Sequence, residues 1–260
     1  MMRSIIPNKL LRGLVALVFW LAVWQGLYWA VGKDILVASP AQVAQRLLAW
    51  CTQPRCWAIV GGTIGRILLG FAAAVAAGVL LAALTAWSGV GRMLLAPLVR
   101  TVRAVPVASF IILLLVWVRT AWVPTVITLL TVTPIVWENI TRGVDAVDRE
   151  LLEMTQVYGF SAGKRLRWLY LPALLPYFSA ACSTGLGFAW KSGIAAEVIA
   201  VTRNSIGGQI YNAKIYLETA DLFAWTILVI ALSLLIDRLM RVLLRCITAR
   251  RRSSAARMVK

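Results

Sequence analysis

Six long apolar runs, separated by short charged segments, leave this chain few ways to fold. They cover about 14–31, 59–87, 94–118, 123–140, 174–201 and 222–244, and each is near the ~20 residues that a helix needs to cross the hydrocarbon of a bilayer. Barrel strands would be shorter and would alternate polar with apolar positions. With 61% hydrophobic residues and a mean hydropathy of +0.82 over 260 residues, the chain carries more apolar surface than a soluble core of this size requires. The expectation is an all-α integral membrane protein of about six transmembrane helices. One domain, 1–260, is the economical division, because the loops are short and no low-complexity linker interrupts them. The first run lacks a small-residue cleavage site and reads as a retained anchor.

Charge predicts the orientation. If the N-terminus is cytoplasmic, the inner segments hold Arg3, Lys9 and Arg12, then Arg92, then Arg142, Arg149, Lys164, Arg165 and Arg167, and finally the basic tail at about 245–260 with its approach from Arg238. The outer segments hold Lys33, Arg46, Arg55, Arg119, Arg203 and Lys214. The excess of cations on one side predicts both termini in the cytoplasm. The net charge of +17 then reflects topology and contact with anionic membrane lipid. Nucleic acid is not an expected partner, because no separate basic domain exists to bind it.

The chain has no histidine and four cysteines, which excludes the Ser-His-Asp arrangement and the histidine-based zinc motifs. No metal site and no catalytic residues are expected. The string GFSAGKR at 159–165 superficially resembles a phosphate loop, but its glycine spacing is one residue short and Arg165 stands where a magnesium-binding hydroxyl is needed. Cys51 and Cys56 fall in a predicted outer loop, where an oxidising compartment permits a disulfide and two free thiols are the alternative. The segment 39–50, SPAQVAQRLLAW, has a cap residue, a first-turn proline and helical periodicity, and so predicts a short surface helix. Many of the tryptophans, such as Trp29, Trp57, Trp87, Trp122 and Trp168, sit at span ends where indole suits the interface.

One charged, amphipathic patch interrupts the apolar pattern: EMTQVYGFSAGKRLRWLYLP, residues 153–172. Leu151, Met154, Thr155 and Tyr158 share one helical face, with Asp148, Arg149, Glu153 and Gln156 elsewhere on the turn. Gly159 can end that helix in a left-handed conformation. Ser161 can cap a second short helix near Ala162, and Pro172 suits the first turn of the next span. The patch predicts a docking surface.

Its spacing resembles the cytoplasmic loop of permease subunits in bacterial ABC importers: Glu-Ala-Ala, three residues, Gly, nine residues, then Ile-x-Leu-Pro. Glu153, Gly159, Leu169, Leu171 and Pro172 occupy those places, while Met154 and Thr155 replace the alanines and Leu169 the isoleucine. TIGRILLGF at 63–71, the stretch from Pro97 through Arg103 to Pro106, and GLGFAWKSGIAAEVIA onward are similar to spans of the nitrate, sulfonate and taurine branch. The resemblance implies a type I-like importer permease in the bacterial cytoplasmic membrane, with a coupling loop at about 145–172. Glu153, Met154, Thr155, Gly159, Ser161 and Pro172 would contact the ATPase. It also implies a dimer of ATPase subunits, an extracytoplasmic solute-binding protein and a second permease copy, in a homodimer. No cofactor is expected on this chain; ATP and magnesium belong to the ATPase.

Polar groups inside spans are tolerated where they pair or face water. Glu138, Lys191 and Glu197 lie in apolar runs, and either line the translocation pathway or form structural ion pairs, with Glu138 a partner for Lys191. Arg100 and Arg103 enter the third run and could attract an anion, snorkel to headgroups or touch the ATPase. Gly185, Gly187 and Gly193 allow close helix approach in the fifth run. Two other classes stay open here: an ion-coupled secondary transporter using Glu138 and Glu197, and a membrane enzyme.

Overall fold

The computed structural model describes residues 9–258, with the side chains of 9, 10, 12, 87 and 245–258 excepted. Arg3 and Lys260 therefore lie outside the described residues, as do the side chains of Trp87 and of the basic tail. The described residues are helical with no strand. The elements in order are α1 (Lys9–Val31), α2 (Pro40–Cys51), α3 (Pro54–Trp87), α4 (Gly89–Ala104), α5 (Val107–Leu114), α6 (Val123–Asp145), α7 (Arg149–Val157), α8 (Ala162–Arg165), a π-helical turn (Leu166–Tyr170), α9 (Leu171–Ile199), α10 (Ile206–Ile215) and α11 (Thr219–Met258). In a bilayer only helices satisfy their own backbone polar groups within one segment, so the apolar runs fix this architecture.

Among the described residues three helices are long and apolar enough to cross a membrane, or four if the bent pair α4 and α5 is one span. The helices α9 and α11, at 29 and 40 residues, exceed the ~30 Å hydrocarbon thickness at 1.5 Å per residue. The continuous third run expected at 94–118 is instead broken, with α4 and α5 meeting at 96°. Pro106 explains the break: it crowds the preceding residue out of helical geometry, and Val105 is extended (φ −76°, ψ 131°).

The core is α3, α6 and α9 packed together. Close approach depends on missing side chains. A Cβ on Gly70 would meet the Thr125 carbonyl oxygen at 2.5 Å, one on Gly78 would meet Val136 Cβ at 2.6 Å, and one on Gly193 would meet Ile67 Cγ1 at 2.6 Å. Gly185 is also close, with Val132 Cγ1 at 3.0 Å, whereas Gly187 faces open space. Threonine hydroxyls add bonds between these helices: Thr125 donates to the Arg66 carbonyl at 3.1 Å, and Thr131 shares a bond with Ser192 at 3.1 Å. The Trp137 indole donates to Thr85 at 3.1 Å, which satisfies a buried N–H.

The segment after Ser39 forms α2 with a reciprocal capping box between Ser39 and Gln42 and with Pro40 in its first turn. Its Trp50 donates to Asp221 at 3.4 Å and packs on Trp225, fastening α2 to α11. By contrast, α1 is nearly all exposed. It is held near its end by the Trp24 indole, which donates to the Ala38 carbonyl at 3.1 Å and stacks on Phe223. Trp29, Trp57, Trp122 and Trp168 are exposed, as a lipid-facing belt requires. Cys51 and Cys56 are unbridged in this structure, and Cys56 is buried in the same apolar cluster as Ile59 and Val60.

Gly78→Ala is expected to destabilise the detergent-purified chain by about 1–3 kcal/mol through overpacking, while Gly187→Ala leaves it unchanged or slightly more stable. Thermal unfolding of the two variants checks this; equal losses would contradict the packing account.

Candidate functional site

The patch at 148–172 forms a capped, exposed elbow. Asp148 precedes α7, and its carboxylate accepts from the Glu150 N–H at 2.9 Å. Sequence reasoning passes over this cap, although an aspartate directly before an amphipathic stretch is the usual signal. At the other end Gly159 adopts φ +63°. The Gly159 N–H donates to Gln156 at 3.0 Å and the Phe160 N–H to Thr155 at 2.8 Å, the two bonds of a Schellman motif. Ser161 accepts from the Lys164 N–H at 3.4 Å, and the Arg165 guanidinium donates to the Phe160 carbonyl at 3.1 Å. These bonds fix the angle between α7 and α8.

Of the predicted face, Thr155 is buried and donates to the Leu152 carbonyl at 2.7 Å. Leu151, Met154, Val157 and Tyr158 are exposed, Val157 at 84% and Tyr158 at 73%. Glu153 is exposed as well. Pro172 falls in the first turn of α9, as the sequence predicts. The chain stays helical from α8 through the π-helical turn into α9. A proline cannot supply the amide that an α-helix expects, and a π-bulge is one way to absorb that loss.

The intramembrane charges sort into two clusters. In the first, Glu138 on α6 does not pair with Lys191; it accepts from Arg103 at the end of α4 and from Arg142 one turn along α6 at 2.5 Å. Lys191 is exposed and has no ion pair among the described residues, and the same holds for Arg100. The break at Pro106 explains the change of partner, because it leaves Arg103 at the open end of α4, against α6. Arg103, Glu138, Asn139 and Arg142 line a cleft of about 380 Å³ at this bend, together with Thr131 of α6 and Thr184 of α9. A second pair, Arg92 to Asp145 at 2.5 Å, ties the start of α4 to the end of α6.

The second cluster surrounds Glu197, which is fully buried. One carboxylate oxygen accepts from Arg66 Nε at 3.1 Å and Nη2 at 2.8 Å; the other accepts from the Thr63 hydroxyl at 3.0 Å and from the Gly207 N–H at 3.1 Å. Arg66 also donates to the Asn204 carbonyl at 3.2 Å, and the Ile206 N–H donates to Thr63 at 3.0 Å. The carboxylate thereby holds the start of α10 against α3 and α9. Gly207 allows this, since a Cβ there would meet Glu197 Cβ at 2.4 Å. Sequence reasoning also misses Arg66 as a site residue, yet it is the one charge within the run 59–87, and such a charge implies a partner. Among the described residues no cluster of side chains suits a metal ion.

An all-helical membrane core, a broken span beside a polar cleft, and an exposed capped elbow between two long helices define the transmembrane subunit of a transport system. Residues 74–248 match the model of the family described as binding-protein-dependent transport system inner membrane component, and the chain belongs to that family. It is an ABC transporter permease subunit rather than an ion-coupled secondary transporter. A probable ABC transporter permease protein of Brucella melitensis is 25% identical over 208 residues, covering 80% of this chain and 84% of that one. The taurine transport system permease protein of Escherichia coli is 26% identical over 239 residues, covering 88% and 86%. The nitrate import permease protein of Synechocystis is 26% identical over 244 residues, covering 88% and 86%. The fold is also that of an amino acid ABC transporter crystal structure, at TM-score 0.60 and 17% identity over 75% of this chain and 93% of the other.

Arg66→Met would leave Glu197 buried without its counter-charge. It is expected to cost about 3–5 kcal/mol, with partial recovery in the double variant carrying Glu197→Gln. Unfolding midpoints of the two variants check this; no loss in Arg66→Met would show that the pair is not holding α10.

Proposed function

We propose that this chain is the translocation subunit of an ATP-driven importer for a small solute, an anion such as nitrate, a sulfonate or taurine, or a related small molecule. The observation that carries the reading is the elbow at Gly159. An amphipathic helix capped at both ends, with Val157, Tyr158 and Met154 exposed, follows the end of α6. Apolar side chains displayed in this way beside Glu153 suit a protein groove.

The partner in that groove is a dimer of ATPase subunits, which binds ATP and magnesium; this chain binds neither. An extracytoplasmic solute-binding protein delivers the solute, and a second copy of the permease completes the pathway as a homodimer. The apolar runs support about six spans, and the distribution of lysine and arginine supports both termini and the elbow in the cytoplasm. Glu153, Met154, Thr155, Gly159 and Ser161 form the coupling surface, and Pro172 with the π-helical turn passes its movement into α9. ATP-driven closure of the ATPase dimer would then move the two permease copies as rigid bodies between inward- and outward-open states. Arg103 and Glu138 line the pathway, while Glu197 holds the helices around it. Arg100 and Lys191 lie at its margins or at the lipid surface.

Gly159→Asp is expected to leave membrane insertion intact and to abolish solute-stimulated ATP hydrolysis. An aspartate in the left-handed conformation costs about 1–2 kcal/mol and places a carboxylate in the elbow. Affinity purification of the tagged chain from its native membrane should recover an ATPase and a solute-binding protein. Normal uptake in the variant would overturn the coupling role, and an active chain purified without an ATPase would overturn the importer reading.

A further inference from the structure

The cleft at the bend between α4 and α5 holds two guanidinium groups and one carboxylate. Arg103 donates to one oxygen of Glu138 and Arg142 to the other, so the cluster carries one uncompensated positive charge. Each guanidinium has five donors in a planar fork and spends one bond on Glu138. The half-exposed Arg103 and the more exposed Arg142 therefore keep donors for a second acceptor. Thr184 and Asn139 add polar atoms to the lining, and Phe110 and Phe188 add apolar walls.

Size narrows the ligand. The cleft of about 380 Å³ is at the lower end of the ~300–1,000 Å³ that small-molecule sites occupy. A bare inorganic oxyanion, with the bulk of roughly two waters at ~30 Å³ each, would fill little of it and leave the aromatic walls unused.

We propose that this cleft binds an organic oxyanion, a sulfonate or carboxylate on a short apolar body, and that Glu138 is the resident counter-ion which the ligand displaces. The proposal rests on the permease reading and supplies its substrate class. Arg103 and Arg142 take the oxyanion, since the guanidinium N–H groups that donate to the two Glu138 oxygens can donate equally to the oxygens of a bound sulfonate or carboxylate. Phe110 and Phe188 take the body. Glu138 bridges the end of α4 to α6, so exchange of ligand for Glu138 on Arg103 also releases that bridge beside the Val105–Pro106 break.

The test is calorimetric titration of the purified full chain in phosphatidylcholine nanodiscs, whose headgroups carry no net negative charge to compete. The probes are butane-1-sulfonate, its neutral sulfonamide analogue and nitrate. Saturable binding of the sulfonate is expected, with the sulfonamide and nitrate weaker by about tenfold or more. Glu138→Gln should bind the sulfonate about tenfold more tightly, because the internal competitor has lost its charge. Arg103→Gln should lose binding; if it does not fold, Arg103→Lys, which keeps charge but not the fork, should weaken binding by about tenfold. A purely structural triad predicts no gain in Glu138→Gln. Weaker binding in that variant, equal binding of the sulfonamide, or no saturable binding in cooperatively folded wild type and Glu138→Gln would each overturn the site. None of these results touches the permease reading, which stands on whether an ATPase is recovered with the chain.

Discussion

The contact of α3, α6 and α9 is the feature on which the other elements depend. Lipid is as apolar as leucine, so burial alone does not draw these helices together; shape and the few available hydrogen bonds must do so. Gly70 lets its backbone approach the Thr125 carbonyl, and Gly78 and Gly193 let theirs approach the side chains of Val136 and Ile67, at distances no Cβ would tolerate. The hydroxyls of Thr125 and Thr131 then make bonds across the contacts. Around this core α10 sits at one end and the elbow at the other, while α11 packs along it from Trp225 to Met240, so movement at either end is carried by packed helices.

The two charge clusters differ in what water they meet. Glu197 is fully buried and has both oxygens satisfied by Arg66, Thr63 and Gly207. Such a pair is weak evidence for net stability, but removing one partner is costly, which suits a fixed clasp. Glu138 is only partly buried, its arginines are half or more exposed, and its cleft is open. That arrangement keeps charge near a polar path at much lower desolvation cost, and its contacts can exchange.

Much of this was legible in the sequence, for local reasons. The apolar runs locate the helices because bilayer thickness sets their length, Ser39 and Pro40 mark the start of α2, and Gly159 marks the end of α7 through the one backbone conformation glycine adopts cheaply. The misses are tertiary or depend on a single residue within a favourable pattern. The run 94–118 reads as one span by hydropathy, and only Pro106, acting on Val105, breaks it. Pro172 marks the first turn of α9 as read, but nothing in the pattern announces the π-helical turn that joins α9 to α8 without a break. Arg142, four residues after Glu138 on α6, was readable as its partner from spacing alone, but Arg103 for Glu138 and Arg66 for Glu197 come from other helices. No periodicity encodes that distance.

If the α7 elbow is where an ATP-hydrolysing partner docks, the two must touch in the native membrane. A photo-crosslinking amino acid placed at Val157, whose side chain is 84% exposed on that elbow, reads the contact without disturbing the fold. Docking predicts a covalent adduct with an ATP-binding subunit, and no such adduct from a probe at Val116, which is comparably accessible beyond α5 at 72% exposure. Crosslinks from Val157 to lipid alone, in a membrane where uptake is active, would contradict it.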